Sequence, residues 1–387
     1  MITKPRLNSV YYFLRPFIPR RWRWFFHRKR AKRIDGFSTV PMWPLPEISK
    51  HADKVAWPEG KTTAFILTHD VDTKFGFENI KNVSEVEKAL DLRGSWNIVP
   101  HLYEVESSVL DYLRDSGLEV GVHDWNHDGR LFSTREVFEE RVGEINRVIR
   151  EWKAKGFRAG AVFHHDSWMQ KFECLYDSSF YDTDPFQPMA GGCKTIWPFM
   201  LGNLVELPYT MPQDHVLFVA GMELMVPKVC PPHLDSQERK RNYYWMHGWC
   251  ERSIPNSGAE YWVIGGVDLW RMKTQWLVEN GGMVLMLVHP EYLCHPRIRL
   301  RRKGKGFQDA LRSNTGWMPG SDEDIISVRE KGIIGEKFFG SLLEQYAAFL
   351  HWFKRKYGKK TWHCLPKEMA ERYKNGSLPH KKEEYLV

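Results

Sequence analysis

The sequence predicts an α/β fold whose mainly parallel sheet is closed into, or resembles, a barrel, and two observations predict it. Short apolar runs that are typical of buried strands alternate with amphipathic runs of helical period. Titratable residues also follow four of the predicted strands, where parallel α/β folds collect their active-site residues. The 387 residues, 42% hydrophobic and 27% charged, are typical of a globular protein with a large core and exclude a disordered or integral-membrane chain.

The first part of the predicted barrel contains four strands. Each is a short apolar run, because strands of a parallel sheet are buried on both faces, whereas the helices are longer and apolar on one face. The strands are predicted at AFILT (64–68), SWNIV (95–99), LEVGV (118–122) and FRAGAVF (157–163). The helices are predicted at 84–92, 105–115 and 134–155.

The second part of the chain shows fewer regular elements. Residues 185–265 are rich in Pro, Gly and Trp and are expected to be irregular. Regular structure returns with a helix at 267–280, the strand MVLMLV at 283–288 and a helix at 336–357. We therefore divide the chain into a basic, aromatic arm with a Pro-containing linker (1–60), a barrel (61–375) and a polar tail (376–387).

The N-terminal arm carries the positive charge of the chain. Residues 1–36 contain eleven Lys and Arg and one acidic residue, so the net charge of +8 belongs to this segment. A helix through the second half of the arm would place Trp22, Phe25 and Phe26 on one face with cations around them. This pattern is typical of helices that lie on a membrane. We therefore expect residues 10–33 to contact an anionic membrane surface.

Two other interpretations of the arm are a disordered basic tail and a nucleic-acid-binding arm. Aromatic side chains add little to a phosphate clamp, so no nucleic-acid partner is expected. The arm has no apolar run of the ~20 residues that span a membrane and no signal-peptide cleavage site. The six cysteines are widely spaced without a CxxC pair, as expected of reduced thiols. The expected location is therefore the cytoplasm, peripheral on the inner face of the membrane.

The titratable residues at the strand ends suggest metal chemistry. Asp70 and Asp72 are two apart and face the same way on an extended chain. His123 and His127 are four apart and share one face if the segment turns helically. Two imidazoles and a carboxylate with open positions form the type of site at which zinc activates water. A solvated histidine pair and turn-capping aspartates are the simpler interpretation of the same residues.

Four motifs in this order resemble those of the polysaccharide deacetylases, the family of the NodB homology domain and carbohydrate esterase family 4. They are THDVD at 68–72, HDWNH at 123–127, FRAG at 157–160 and LVHP at 287–290. The resemblance covers roughly residues 61–370 and implies an irregular (β/α)7-type barrel of about seven strands. It also implies a hydrolase that removes the acetyl group from an N-acetylated sugar.

The resemblance of the first two motifs implies a metal site. Carried over in order, Asp70 is the catalytic base and Asp72 a metal ligand, although Val71 stands between them where the family has two adjacent aspartates. His123 and His127 are the other two ligands. The implied cofactor is a divalent metal, and zinc suits two imidazoles and a carboxylate, with cobalt or nickel as alternatives.

The remaining motifs imply a positioning residue and a proton donor. Arg158 orients the base and holds it ionised, and His289 is the general acid that protonates the departing amine. The sequence departs from the family pattern at two nearby positions. Asp124 stands in place of a serine or threonine, and Gly160 stands in place of a proline.

The carboxylate that supports the acid histidine is ambiguous in the sequence. Asp177, Asp182 and Asp184 compete for this role in a segment without the tryptophan that usually follows, and we favour Asp184. His164 and His165 match no motif and are predicted to bind substrate.

Together these features predict a metal-dependent deacetylase of an N-acetylated sugar, lipid-linked or nucleotide-linked, in surface polysaccharide or glycolipid biosynthesis at the membrane. Two alternatives remain open. One is a related barrel that hydrolyses another C–N amide bond or works without a metal. The other is a barrel that binds glycan without catalysis, since the motifs around Asp70, Arg158 and Asp184 depart from the family pattern.

Overall fold

The fold is that of a computed structural model, and the description covers residues 56–182, 192–193, 195–219, 223–227, 251–253, 260–296 and 323–378. The predicted membrane-binding segment 10–33 lies outside the described residues. The polar tail beyond residue 378 lies outside them as well.

Strands and helices alternate through the described chain. The strands are β1 Thr63–Val71, β2 Gly94–Ile98, β3 Glu119–His123, β4 Gly156–Arg158, β5 Tyr176–Asp177, β6 Phe199–Leu201, β7 Leu204–Glu206, β8 Glu223–Pro227, β9 Glu251–Ser253, β10 Glu260–Gly265, β11 Met283–Val288 and β12 Thr361–His363. The helices are α1 Lys74–Glu78, α2 Ile80–Lys88, α3 Ser107–Asp115, α4 Arg135–Glu151, α5 Asp166–Met169, α6 Gly266–Glu279, α7 Pro290–Leu293, α8 Glu323–Glu330, α9 Leu342–Tyr357 and α10 Pro366–Lys374.

The main sheet is curled into an irregular barrel. Strands β11, β1, β2, β3, β4, β5 and β7 pair in this order, and every pair among them is parallel. After β7, the backbone N–H groups of Thr210 and Met211 donate to the Leu285 carbonyl at 3.2 Å, which brings the chain back to β11. The predicted irregular α/β barrel, with about seven strands and a mainly parallel sheet, is therefore confirmed. Strand β6 adds an antiparallel edge beside β7.

Strands β1 and β11 lie at the centre of the core, since every residue of both is buried. Helix α9 covers them, with the rings of Phe65 and Phe353 stacked at 4.0 Å between centroids. Phe349 of the same helix packs on Trp270 of α6 at 5.3 Å. Burying each such side chain contributes about 1.5–3 kcal/mol. Uninterrupted apolar runs are thus the sequence signature of these two strands.

The structure corrects several predicted elements. Strand β4 ends at Arg158, short of the predicted 163, because Ala161 and Val162 have φ of 55° and 50°, which no strand accommodates. Residues 185–265 are not irregular throughout, since β7 of the barrel lies within them. Helix α4 begins where predicted, because the Thr134 side chain accepts a hydrogen bond from Val137 N at 3.3 Å.

The described chain enters the barrel at the N-terminal ends of the strands. Trp57 is buried, and its Nε1 donates to the carbonyl of Gly281, just before β11, at 2.8 Å. Among the described residues, no helix has both the length and the apolar character needed to cross a membrane. The described cysteines, Cys174, Cys193, Cys294 and Cys364, are all free thiols.

Candidate active site

The end of β1 presents two carboxylates on one face. Asp70 Oδ2 lies 3.7 Å and Asp72 Oδ1 lies 3.1 Å from His123 Nε2. Val71 between them is fully buried in the hydrophobic core. Because successive side chains of a strand point to opposite faces, the inserted valine keeps both aspartates on the site side.

The loop after β3 brings His127 back to His123. Asp124 and His127 have φ of 57° and 55°, so this segment forms a loop and not the helical turn considered from the sequence. The two imidazole centroids are 5.0 Å apart, and His127 Nε2 lies 3.4 Å from Asp72 Oδ1. The two histidines therefore share one side of the site, but through a left-handed backbone.

Asp72, His123 and His127 form a group that is able to hold a cation, since their ligand atoms all lie within 4.8 Å of one another. His123 Nδ1 lies 3.0 Å from the carbonyl oxygen of Arg158, which can only accept, so Nδ1 carries a hydrogen. In a neutral ring, Nε2 then presents a lone pair to Asp72 Oδ1. Among the described residues, this buried oxygen has no hydrogen-bond donor. A proton or a metal ion must therefore lie between the two acceptors.

The electrostatics of the group favour positive charge beside an ionised carboxylate. Burial alone would lower the pKa of His123, but Asp70 and Asp72 raise it to about 9. Burial would raise the pKa of Asp72, but His127, His123 and His289 hold it well below its usual range. Two imidazole nitrogens and one carboxylate oxygen fit a divalent metal of the zinc class.

Asp70 is held by two donors on one of its oxygens. Arg158 Nη1 and Asn97 Nδ2 each donate to Asp70 Oδ1 at 3.0 Å, and Oδ2 is turned toward His123. Arg158 is fully buried, and its Nε and Nη2 donate to the carbonyl and hydroxyl of Ser178 at 2.6 Å. Burial would raise the pKa of Asp70, but the positive charges of Arg158, His123 and His289 together lower it. The arrangement suits an oriented, ionised base.

His289 follows β11 and is fixed by Asp214. Asp214 Oδ1 lies 2.7 Å from His289 Nδ1, and Asp214 Oδ2 accepts the backbone N–H of His289 at 2.8 Å. His289 Nε2 lies 3.9 Å from Asp72 Oδ2, so it is directed at the metal-ligand group. Burial alone would lower the pKa of His289, but Asp214 and Asp72 raise it to about 10. These contacts suit a general acid.

Asp214 is the carboxylate that the sequence analysis missed. Asp177 instead accepts hydrogen bonds from the backbone and hydroxyl of Ser179, so the alternative that placed it beside His289 is wrong. Asp182 is also not this carboxylate, because it forms a buried ion pair with Lys273.

The favoured candidate, Asp184, lies outside the described residues. The carboxylate that contacts His289 is that of Asp214, which lies 75 residues earlier in the sequence, in a segment expected to be irregular. The available signal was an Asp–His pair, Asp214 and His215, eight residues after β7. Like the other candidate residues, this pair follows a strand of the barrel.

His164 and His165 follow β4 but make contacts of their own. The His164 ring stacks on Phe180 at 3.8 Å between centroids, and its Nδ1 donates to the Val162 carbonyl at 3.0 Å. The His165 ring stacks on Trp168 at 4.1 Å. Their role in substrate binding therefore stays a prediction.

The two departures from the motif pattern, Asp124 and Gly160, lie against each other. A Cβ on Gly160 would lie 2.1 Å from Asp124 Oδ2. Asp124 is fully buried, and its Oδ1 accepts a hydrogen bond from Trp125 N at 2.7 Å. Because only glycine leaves room for this carboxylate, each departure accounts for the other.

Several solved structures resemble this chain in fold. A candidate polysaccharide deacetylase from Mycobacterium smegmatis is 13% identical, covers 86% of this chain and 98% of its own, and gives a TM-score of 0.48. Puue allantoinase is 10% identical, with coverages of 82% and 92% and a TM-score of 0.45. A candidate polysaccharide deacetylase of O-antigen biosynthesis from Bordetella bronchiseptica is 13% identical, with coverages of 76% and 92% and a TM-score of 0.36.

Two of these three proteins bear the name of the group that the motifs resemble. Neither the models of known protein families nor the curated protein sequences give a match. At these identities and TM-scores the likeness says nothing about chemistry, so the function has to be inferred from the geometry of the site.

Proposed function

We propose that this chain is a metal-dependent hydrolase that removes the acetyl group from an N-acetylated sugar. One observation carries the proposal: three kinds of side chain converge at the carboxyl ends of the barrel strands. They are a group of metal ligands, a carboxylate held by a buried arginine and a histidine held by a buried aspartate. This is the equipment that hydrolysis of an unactivated amide requires.

The residues of the site divide into metal ligands, a general base and a general acid. Asp72, His123 and His127 would hold the metal, for which zinc is best suited and cobalt or nickel are alternatives. Bound there, the metal supplies Lewis-acid polarisation of the acyl carbonyl. Asp70 Oδ2 takes a proton from the attacking water, and His289 Nε2 gives a proton to the departing amine nitrogen. The products are a free amino sugar and acetate.

The protonation states match these parts. The pKa of Asp70 is lowered, so the base is ionised at neutral pH. The pKa of His289 is raised to about 10, so the acid carries its proton at the same pH. Two titratable groups with pKa values moved in opposite directions are expected of an acid–base pair.

We infer further that the substrate is a lipid-linked or nucleotide-linked sugar, and that residues 10–33 bind an anionic membrane at its cytoplasmic face. Support comes from the cations and aromatic residues of the arm. The described chain joins the barrel at the start of β1, a strand of nine residues and about 30 Å. The arm is therefore attached at the end of β1 remote from Asp70 and Asp72.

Binding to vesicles tests the membrane inference. The full chain should sediment with vesicles that contain anionic lipid and remain in solution with neutral vesicles. A variant without residues 1–36 should remain in solution with both. Equal sedimentation of the two proteins would show that the arm is not the anchor.

Acetate release tests the proposed reaction. The full chain is stripped with a chelator, reloaded with zinc and given free, nucleotide-linked and lipid-linked N-acetylated sugars. We expect zinc-dependent acetate release that Asp70→Asn abolishes, while Asp166→Asn, a carboxylate change after β4 outside the ligand group, retains it. If the folded, zinc-loaded protein released acetate from none of the three, the proposal would be wrong. Cleavage of another amide without acetate release would favour the alternative hydrolase.

A further inference from the structure

A second group of potential ligands lies beside the first. Asp214, His215 and His289 offer ligand atoms that all lie within 4.8 Å of one another. The rings of His215 and His289 are 5.3 Å apart between centroids and cross at 86°. Asp214 and His289 are buried, whereas His215 is partly exposed. A cation from solution would therefore meet this group at His215.

The two groups use different nitrogens of the His289 ring. Nε2 is directed at the first group, 3.9 Å from Asp72 Oδ2. Nδ1 is directed at Asp214 Oδ1, 2.7 Å away. A cation held on the Nδ1 side therefore takes no ligand from Asp72, His123 or His127.

The local charge favours a cation at the second group. Asp214 Oδ1 lies 2.7 Å from His289 Nδ1, and Asp72 Oδ2 lies 3.9 Å from His289 Nε2, so a carboxylate flanks each nitrogen of this ring. A cation bound to Nδ1 would lie directly beside the Asp214 carboxylate.

We propose that Asp214, His215 and His289 form a second, weaker site for a divalent cation of the zinc class, and that its occupation stops the reaction. Lone pairs of one Asp214 oxygen, one His215 ring nitrogen and His289 Nδ1 form the coordinate bonds. One proton leaves Nδ1 for the solvent, and no electrons are transferred. The site is weaker because the cation must first displace a formed hydrogen bond, whereas the first group has two acceptors already facing each other.

Inhibition follows from the chemistry of the ligated ring, and this part rests on the proposed function. With a cation on Nδ1, His289 cannot become an imidazolium. It can release its Nε2 proton only as an imidazolate, so it is a far weaker acid. Activity should therefore rise as zinc fills the first group and fall as it fills the second.

Equilibrium dialysis of the full chain against zinc tests the second site. The variant is His215→Phe, which keeps an aromatic ring against Tyr292, 5.7 Å away, but offers no ligand atom. We expect two zinc ions per wild-type chain, the second with a Kd at least tenfold weaker. His215→Phe should bind one zinc with the tight Kd unchanged, and the control His165→Ala should bind two.

A saturation value of one zinc in the wild type, or a second zinc retained by His215→Phe, would overturn the proposal. A second experiment measures the rate of acetate release at increasing zinc concentration. The rate of the wild type should fall at least tenfold at zinc concentrations where His215→Phe retains its rate. If no acetate is released by either protein, the proposed function fails, but dialysis still decides the second site. If His215→Phe fails to fold, His215→Leu, which also offers no ligand atom, is put through the same dialysis.

Discussion

Replacing Gly160 with alanine is expected to destabilise the protein by about 1–3 kcal/mol, the usual cost of overpacking a buried site. The new Cβ would lie 2.1 Å from Oδ2, 3.0 Å from Cγ and 3.2 Å from Cβ of Asp124. The Asp124 carboxylate cannot simply rotate away, because it is fully buried and accepts the Trp125 N–H. The loop that carries His127 must therefore shift.

Asp124→Ser provides the matching change, since it removes the carboxylate that the new methyl group would meet. The double variant Asp124→Ser with Gly160→Ala should lose less stability than the sum of the single variants. Contacting residues couple by about 0.5–3 kcal/mol, and the 2.1 Å overlap places this pair near 1 kcal/mol or above.

Urea unfolding of the metal-free protein, followed by circular dichroism, measures these values. Metal is left out because its binding would add stability of its own. Gly143→Ala is the matched control: it lies in α4, and its added Cβ meets nothing within 4 Å. It should be neutral or stabilise by up to about 1 kcal/mol. A Gly160→Ala protein as stable as the wild type, or strictly additive effects, would refute the coupling of the two positions.

Three further perturbations have expected outcomes. Arg158→Met leaves the Asp70 charge buried without its cation and should cost about 3–5 kcal/mol in urea unfolding, so a loss below 1 kcal/mol would contradict the ion pair. Burial raises the pKa of Glu119 to about 7, so this residue contributes up to about 3 kcal/mol of stability that is lost as pH rises from about 4.5 through 7. Glu119→Gln should lose less stability than the wild type over this pH range, and an unchanged pH profile would exclude the contribution. Zinc at 100 times its Kd should raise the free energy of unfolding of the wild type by about 2.7 kcal/mol and leave that of Asp72→Asn unchanged. An equal increase in the two proteins would exclude Asp72 as a ligand.

The parts of the fold that the sequence predicts are those set by local patterns. Strands β1 and β11 were predictable because both faces are buried, which requires an unbroken apolar run. Asp70 and Asp72 lie on the same side of the chain because the side chains of a strand alternate with a period of two residues. Residue-level patterns thus locate the barrel and half of the site.

The parts that the sequence does not predict depend on distant contacts. Asp214 meets His289 across 75 residues, and no local pattern encodes that pairing. The approach of His127 to His123 requires a positive φ at Asp124, a residue that only occasionally adopts it. Strand β12 has three residues and exists only because it pairs with the start of β1.

Zinc binding at low concentration tests the metal-ligand group most directly. The full chain, stripped and then dialysed against zinc too dilute to fill the second group, is compared with His127→Ala and with His164→Ala. His164 is the matched control, because it is also a partly buried loop histidine but contacts Phe180 and Val162. We expect one tightly bound zinc in the wild type and in His164→Ala, and at least a hundredfold weaker binding in His127→Ala. A wild type that binds no zinc, or a His127→Ala protein that binds it as tightly, would contradict the assignment.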